Sequence, residues 1–260
     1  MGTDTTQKLK GLLSEQSSGT VLLSSWLVSR GYSSDLQQRY KKSGWLKPIG
    51  RGAFVRPGDE VDYLGGVNAL QTQQGASIHP GGRTALSLLG SAHYLELATK
   101  RVVVFGDKSE RLPAWFQNHD WRVEVDYHAT GFLPTGVGMV EITHKSFSVH
   151  VSGAARAMME CLYLAPARQD LMECYELMEG LNNLRPTQVQ SLLETCQSVK
   201  VKRLFLFMAE KAGHAWFNDL NLTKVDLGSG PRSVTTPGVY DPKYRLMIPR
   251  ELAAHGKSDL

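Results

Sequence analysis

The 260-residue sequence predicts an α+β protein in which a small helical module closed by a hairpin precedes a larger mixed α/β domain. Three observations carry this. Between Ser33 and Arg56 the apolar period changes from that of a helix to that of a strand. Between Arg101 and Val151 four runs rich in β-branched residues recur. From Ala154 to Lys211 the apolar residues return to helical spacing.

The first element is a helix over Lys8 to Glu15, where Leu9, Leu12 and Leu13 share a stripe. Ser24 is placed to cap a second short helix, Ser25 to Arg30, which stops at Gly31. In the third helix Leu36 and Tyr40 fall on one face, and Gln38 lies opposite, flanked by Asp35, Lys41 and Lys42. Ser33 or Ser34 supplies its cap. Ser34 and Gln37 also fit a capping box, in which hydroxyl and amide each satisfy a backbone N–H at the helix start. Gly44 ends the helix. Trp45 to Ile49 and Ala53 to Arg56 are then short apolar runs around Gly50-Arg51-Gly52, the composition of a tight hairpin with an arginine at its tip. Helix, helix, turn, helix, hairpin is the order of a winged helix-turn-helix.

Such a module lays its third helix in the major groove of DNA and sets its tip on phosphates or in the adjacent minor groove. Charge points the same way. Residues 1–58 hold nine Lys/Arg against three Asp/Glu, net +6; of the chain's 29 and 25 the remaining 20 and 22 leave −2. The positive balance sits where phosphates would be neutralised. The expected DNA contacts are Ser34, Asp35, Gln37, Gln38, Arg39, Lys41, Lys42, Lys47 and Arg51. Gln38 has the side-chain amide that pairs with an adenine edge, and the lysines suit phosphates.

Pro57-Gly58-Asp59 marks a boundary, giving a DNA-binding domain over 1–58 and an effector domain over 59–260, the latter with a sheet-rich part, 59–151, and a helix-rich part, 152–260. Gly66 to Gln73 and Arg83 to Leu89 read as helices. The Gly81-Gly82 pair between them could cradle an anion, but without a P-loop lysine in register a flexible turn is the simpler reading. Arg101 to Phe105, Trp121 to Tyr127, Met139 to Thr143 and Phe147 to Val151 read as strands of one small mixed sheet, with Leu112 to Asn118 a short helix. Helices follow over Ala154 to Leu164, Gln169 to Leu181, Thr187 to Cys196 and Val199 to Lys211, punctuated by Pro166, Pro186 and Gly213. Met158, Met159, Met172 and Met178 fit core packing better than a binding groove. The tail from Leu222 to Arg250 mixes turns with short strands.

The same residues argue against several functions. A chain 42% hydrophobic and 21% charged is not expected to be disordered outside its ends, with His255 to Leu260 read as frayed. It has no apolar run near the ~18–20 residues of a membrane span and no signal-peptide core, so a cytoplasmic protein without a membrane partner is expected. Cys161, Cys174 and Cys196 lack any CxxC and read as reduced core thiols. Asp107 and Glu124-Val-Asp126 faintly resemble the carboxylates of metal-dependent nucleases. The lysine of that pattern is missing, however, and alternation puts both carboxylates of the second group on one solvated strand face. His79, His93, His119, His128, His144, His150 and His214 show no HxxxH or HExxH pairing, and a GxSxG elbow is absent. Hence no catalytic residue, metal or cofactor is expected, and the chain is not read as an enzyme. A winged-helix-targeted nuclease and a winged-helix protein adaptor are the competing readings.

Several blocks in order identify the chain as resembling a family: GTVLLSSWLVSRGYSSDLQQRYKKSGWLKPIGRGAFVRPGD, HPGGRTALSLLGSAHYL, LPAWF, KRLFLFMAEKAGHAWF, VDLGSGPR and YRLMIPREL. They resemble the AbiE-type (AbiEi) antitoxins of type IV toxin–antitoxin systems. The resemblance implies a bacterial repressor that binds double-stranded DNA at inverted repeats in its own promoter. It also implies antagonism of a nucleotidyltransferase-like toxin without a stable complex. This chain lacks the toxin's own chemistry, because no Asp-x-Asp pair follows Gly228-Ser229-Gly230.

Overall fold

A computed structural model describes residues 11–12, 16–90, 100–235 and 237–255. Two compact units emerge. One is built from the chain up to His79, the segment ending at Ala129, and Glu141–His150; the other from the segment beginning at Pro80, Thr130–Val140, and Val151 onward. The Pro57-Gly58-Asp59 turn lies within the first unit. Apart from Gly11 and Leu12, the helix predicted over 8–15 lies outside the described residues, as does His93.

The first unit opens with β1 (Leu22–Leu23), α1 (Ser24–Ser29), α2 (Ser34–Lys42), β2 (Lys47–Gly50) and β3 (Ala53–Val55). Leu12, Leu22, Leu27, Tyr40, Leu46 and Phe54 form their common core, with Trp26, Tyr32 and Leu36 packed against it. The hairpin is antiparallel, with Lys47 opposite Val55 and Pro48 opposite Phe54. β1 adds a third strand on the far side of β3, Leu22 facing Phe54. Two residues are too few to show an alternation, so this strand left no trace in the sequence pattern.

α3 (Tyr63–Gln74) starts earlier than predicted, because Asp62 caps it by accepting the N–H groups of Leu64 at 3.1 Å and Gly65 at 3.2 Å. Its side chains hold two neighbours. Gln73 bonds Leu23 N at 2.8 Å and Val21 O at 2.7 Å, which fastens β1 to the helix. Asn68 donates to Ser148 O, while Gln71 both donates to His150 O and accepts from His150 N. These side chains therefore occupy backbone groups of β8 (Phe147–Ser152) that another strand would need. Among the described residues the predicted single mixed sheet is accordingly two: β7 (Met139–His144) pairs with β8, while β4 (His79–Pro80), β5 (Arg101–Gly106) and β6 (Glu124–Ala129) form the other. β5 and β6 run parallel, Val102 beside Val125 and Val104 beside Tyr127. Between them in the chain lies α5 (Ala114–Gln117).

The second unit is organised around α6 (Ala154–Leu164), whose residues are buried almost throughout. It packs on α4 (Gly82–Leu88), α7 (Leu171–Glu179), α8 (Pro186–Thr195) and α9 (Val199–Lys211). Met158, Met159 and Met178 are core residues, as expected. At its centre Glu160 is wholly buried. One carboxylate oxygen accepts from Arg156 Nε at 2.9 Å; the other accepts from Ser152 Oγ at 2.7 Å and from Gly82 N at 2.9 Å. The Gly81-Gly82 turn thus meets an anion, and that anion is the protein's own carboxylate. Arg156 also donates to the carbonyls of Pro134 and Val137, each at 2.7 Å.

The tail closes as β9 (Arg232–Ser233), β10 (Val239–Asp241), β11 (Leu246–Ile248) and α10 (Arg250–Ala254). The buried guanidinium of Arg203 on α9 holds it, donating to the carbonyls of Leu227, Gly228, Gly230 and Arg245. Gly228 and Gly230 take positive φ angles of +62° and +72°, the backbone conformation that suits glycine and that turns these carbonyls onto the guanidinium. Cys161, Cys174 and Cys196 are buried, and burial pushes each thiol up, which keeps them protonated and unreactive.

Removing Arg156 leaves Glu160 as an uncompensated buried charge, so Arg156→Ala should cost about 3–5 kcal/mol in urea denaturation. A loss below about 1 kcal/mol would mean that the pair contributes little beyond exposed ion pairs. Asp62 behaves differently. Partial burial pushes its carboxyl up, but bonds from His144 Nε2 at 2.8 Å and Lys145 Nζ at 2.9 Å, with the Gly65 N–H, outweigh this and hold it below its usual 3.8. A depressed carboxyl stabilises the fold at neutral pH and loses that contribution as pH falls through its folded value. Asp62→Ala should therefore cost about 0.5–2 kcal/mol at pH 7, and the gap from the parent should close below pH 3.8. A gap that stays constant into acid would remove the charge from this explanation.

Candidate nucleic-acid interface

α2 begins where Ser33 leaves the helical conformation and its hydroxyl accepts Leu36 N at 3.3 Å. Asp35 sits in the first turn and Arg39, Lys41 and Lys42 in the last, each sign opposite to the helix-end charge it faces. Gly44, at φ +74°, turns the chain out of the helix, and the N–H groups of Trp45 and Leu46 both return to Tyr40 O. Leu36 and Tyr40 face inward as predicted.

Gln37 does not complete a capping box. It is 2% exposed, and its amide bridges the two helices: Oε1 accepts Ser24 Oγ at 2.6 Å, and Nε2 donates to Ser24 O at 3.2 Å and Tyr32 O at 2.8 Å. Ser24, expected to cap α1, is inside that helix and spends its hydroxyl on Gln37. With every amide atom used inside, Gln37 has none left to offer DNA, unlike the other residues expected to make contact.

Those others surface together. Asp35, Gln38, Arg39 and Lys42 are exposed at positions i, i+3, i+4 and i+7, a single stripe along the helix, with Ser34 exposed beside it and Lys41 half-buried at its flank. Lys47 and Arg51 are exposed on the hairpin. The stripe therefore offers an amide among mainly cationic neighbours, with Asp35 at the N-terminal end. Trp45 is a further surface residue that the sequence pattern misses. The pattern places it at the start of a strand, yet the strand begins at Lys47, and the indole between Lys42 and Lys47 in the chain is 49% exposed.

The hairpin is seated on α5. A Cβ built on Gly50 would lie 2.7 Å from Trp115 Cβ and 2.9 Å from its Cα, so only glycine allows the wing to approach this closely. Burial pushes the pKa of His119, just beyond α5, below its usual value; Asp120 opposes this and nearby Lys47 adds to it.

The carboxylates that resemble a nuclease centre are engaged with their neighbours on a charged surface. Arg101 lies between Asp126 at 2.7 Å and Glu124 at 3.7 Å, and Asp107 accepts both the N–H and the hydroxyl of Ser109. No group of three or more His, Cys, Asp or Glu among the described residues could hold a metal ion. No described helix is long and apolar enough to cross a membrane.

Two family profiles match. Residues 5–97 match "Transcriptional regulator, AbiEi antitoxin N-terminal domain", and residues 99–249 match "Transcriptional regulator, AbiEi antitoxin, Type IV TA system". Among solved structures the RV2827C protein from Mycobacterium tuberculosis is similar, at a TM-score of 0.57 and 17% identity, over 94% of this chain and 90% of that one. At that identity the likeness concerns the fold. No protein of curated function matches significantly.

The geometry separates two adjacent glutamines. Gln37→Ala strips the partners from Ser24 and Tyr32 and should destabilise the protein by about 1–3 kcal/mol, whereas Gln38→Ala should stay within about 0.5 kcal/mol of the parent. Thermal denaturation of both variants checks this, and equal losses would contradict the assignment of Gln37 as the interior residue.

Proposed function

The chain belongs to the AbiEi antitoxin family of transcriptional regulators of type IV toxin–antitoxin systems, and on that footing we propose that it binds the promoter of its own operon as a repressor and counteracts a nucleotidyltransferase-like toxin in the cytoplasm. The observation that carries the DNA-binding part is the exposed stripe of Asp35, Gln38, Arg39 and Lys42 beside a wing tipped by Arg51. The +6 balance of residues 1–58 supports it.

In this reading α2 enters the major groove of an inverted-repeat operator. Gln38, central on the stripe, pairs its amide with an adenine edge, while Arg39, Lys41, Lys42 and Lys47 neutralise phosphates. Ser34, at the helix start, adds a hydroxyl to the backbone contacts. Asp35 works by exclusion, since a carboxylate tolerates a base-edge donor but repels a phosphate. Arg51 reaches phosphates or a narrow minor groove from the wing tip. Gln37 takes the supporting role of fixing the helix.

DNA binding is placed on residues 1–58 and antitoxicity on 59–260, without a stable complex with the toxin. A winged helix of ~60 residues suffices to bind DNA, so the remaining chain, with its net charge of −2, calls for a second task.

Gln38→Ala should reduce operator binding by about 1–3 kcal/mol and relax preference at one base pair. Lys41→Ala and Lys42→Ala should instead weaken operator and random DNA alike, each lowering the salt slope of log affinity by roughly 0.9 if it removes one phosphate contact. Equal losses on both DNAs for Gln38→Ala would refute base reading by that residue. The division of labour has its own check. A Lys41→Glu, Lys42→Glu, Arg51→Glu variant should lose repression yet still protect cells from toxin expressed from an unrelated promoter. A variant with normal circular dichroism that gives no protection would show that antitoxicity runs through DNA binding.

A further inference from the structure

Five tryptophans punctuate the chain, and the fold accounts for four of them. Trp115, Trp121 and Trp216 are buried. Trp115 packs edge-on against Phe116 and Trp121, and the indole N–H groups of Trp121 and Trp216 donate to the carbonyls of Phe116 and Leu181, each at 2.8 Å. Trp26 packs against the core of the helical module, with the Arg30 guanidinium 5.0 Å from the centre of its ring. Trp45 is the exception: it is half-exposed, its ring meets no other ring, and its indole N–H has no partner among the described residues.

The backbone fixes that exposure. Gly44, at φ +74°, turns the chain out of α2, and the N–H groups of Trp45 and Leu46 both return to Tyr40 O, at 2.8 and 3.2 Å. Leu46 is buried in the core of the module, which anchors the residue before it at the surface. A large apolar ring held in one place and left in water is the kind of side chain that anchors interfaces, because it loses little freedom when a partner covers it.

Charge selects the partner. Arg39, Lys41, Lys42, Lys47 and Arg51 lie on either side of Trp45 in the chain, and no Asp or Glu intervenes between Asp35 and Asp59. Lys42 and Lys47, the nearest of these cations, are exposed. An apolar ring among cations, with no carboxylate in the same stretch, fits a polyanion that also carries apolar faces. The sugar–phosphate strand of DNA has both.

If α2 lies in the major groove and the wing tip reaches the adjacent minor groove, the link from Ser43 to Leu46 must cross the sugar–phosphate strand that divides the two grooves. Trp45 is the large exposed side chain of that link. We propose that its indole packs on the deoxyriboses of this strand, with its N–H donating to a phosphate, and so holds α2 at a fixed depth in the groove. The contact is neither an ion pair nor a base contact. It rests on the DNA-binding reading above and adds to it an apolar anchor between helix and wing.

Two titrations of the full chain test this: anisotropy of labelled promoter and random duplexes gives affinity, and tryptophan emission reports on the ring itself. Trp45→Ala should weaken both duplexes by a similar factor, about 5- to 20-fold, and leave the salt slope of log affinity unchanged, whereas Lys42→Ala lowers that slope. Trp45→Phe, which keeps a ring, should recover most of the affinity. Duplex should quench the emission of the parent, and most of that quenching should vanish in Trp45→Phe. The proposal is overturned if Trp45→Ala binds as the parent does, if its loss is confined to the promoter duplex or comes with a lowered salt slope, or if the quenching survives in Trp45→Phe. Should Trp45→Ala fail to fold by circular dichroism, the quenching comparison decides alone. In all of these the parent still binds duplex and the DNA-binding reading stands; a parent that binds neither duplex would overturn both.

Discussion

A glutamine removed from water must find partners for one carbonyl oxygen and two N–H groups, and Gln37 finds all of them on Ser24 and Tyr32. The candidate interface depends on this arrangement. Helix α2 has only two strongly apolar inward residues, Leu36 and Tyr40, which leave its rotation loosely determined by packing alone. Three directed bonds from Gln37 to the start of α1 and to Tyr32 in the turn that follows it remove that freedom. Once Gln37 points inward, the 3.6-residue period sends Asp35, Gln38, Arg39 and Lys42 outward together.

The second unit uses the same device on a larger scale. Glu160 gathers an arginine, a hydroxyl and a backbone N–H into a place where an unpaired carboxylate would be intolerable, and Arg203 gathers carbonyls from the glycine-rich tail. In both, a buried charge organises backbone that forms no regular ladder. The Gly81-Gly82 turn, read as a possible anion cradle, is thereby satisfied from within.

Local grammar made part of this legible in advance. The spacing of Leu36 and Tyr40, the stop at Gly44, the Gly50-Arg51-Gly52 tip and the helix over Ala154 to Leu164 all follow from periodicity and turn chemistry, which involve residues close in the chain. What escaped depends on partners far away. A capping box and an interhelical bridge both need a glutamine one turn into a helix, and only the position of Ser24 decides between them. The ligand of Gly82 N lies on another helix, and nothing near Glu160 announces it. The split into two sheets depends on Asn68 and Gln71 occupying backbone groups of β8. Trp45 is the converse case: it belongs to the apolar run read as a strand, yet it precedes the strand and is 49% exposed, while its neighbour Leu46 is buried.

We propose that the outward stripe of α2 meets the bases of DNA. Photo-crosslinking measures this directly, with a photoreactive amino acid at position 38 in one protein and at position 28 in another, since Val28 is 50% exposed on α1. With the promoter duplex, position 38 should form an adduct that maps to bases of the major groove within the operator, and position 28 should form little. Strong adducts from position 28 with none from position 38 would contradict it.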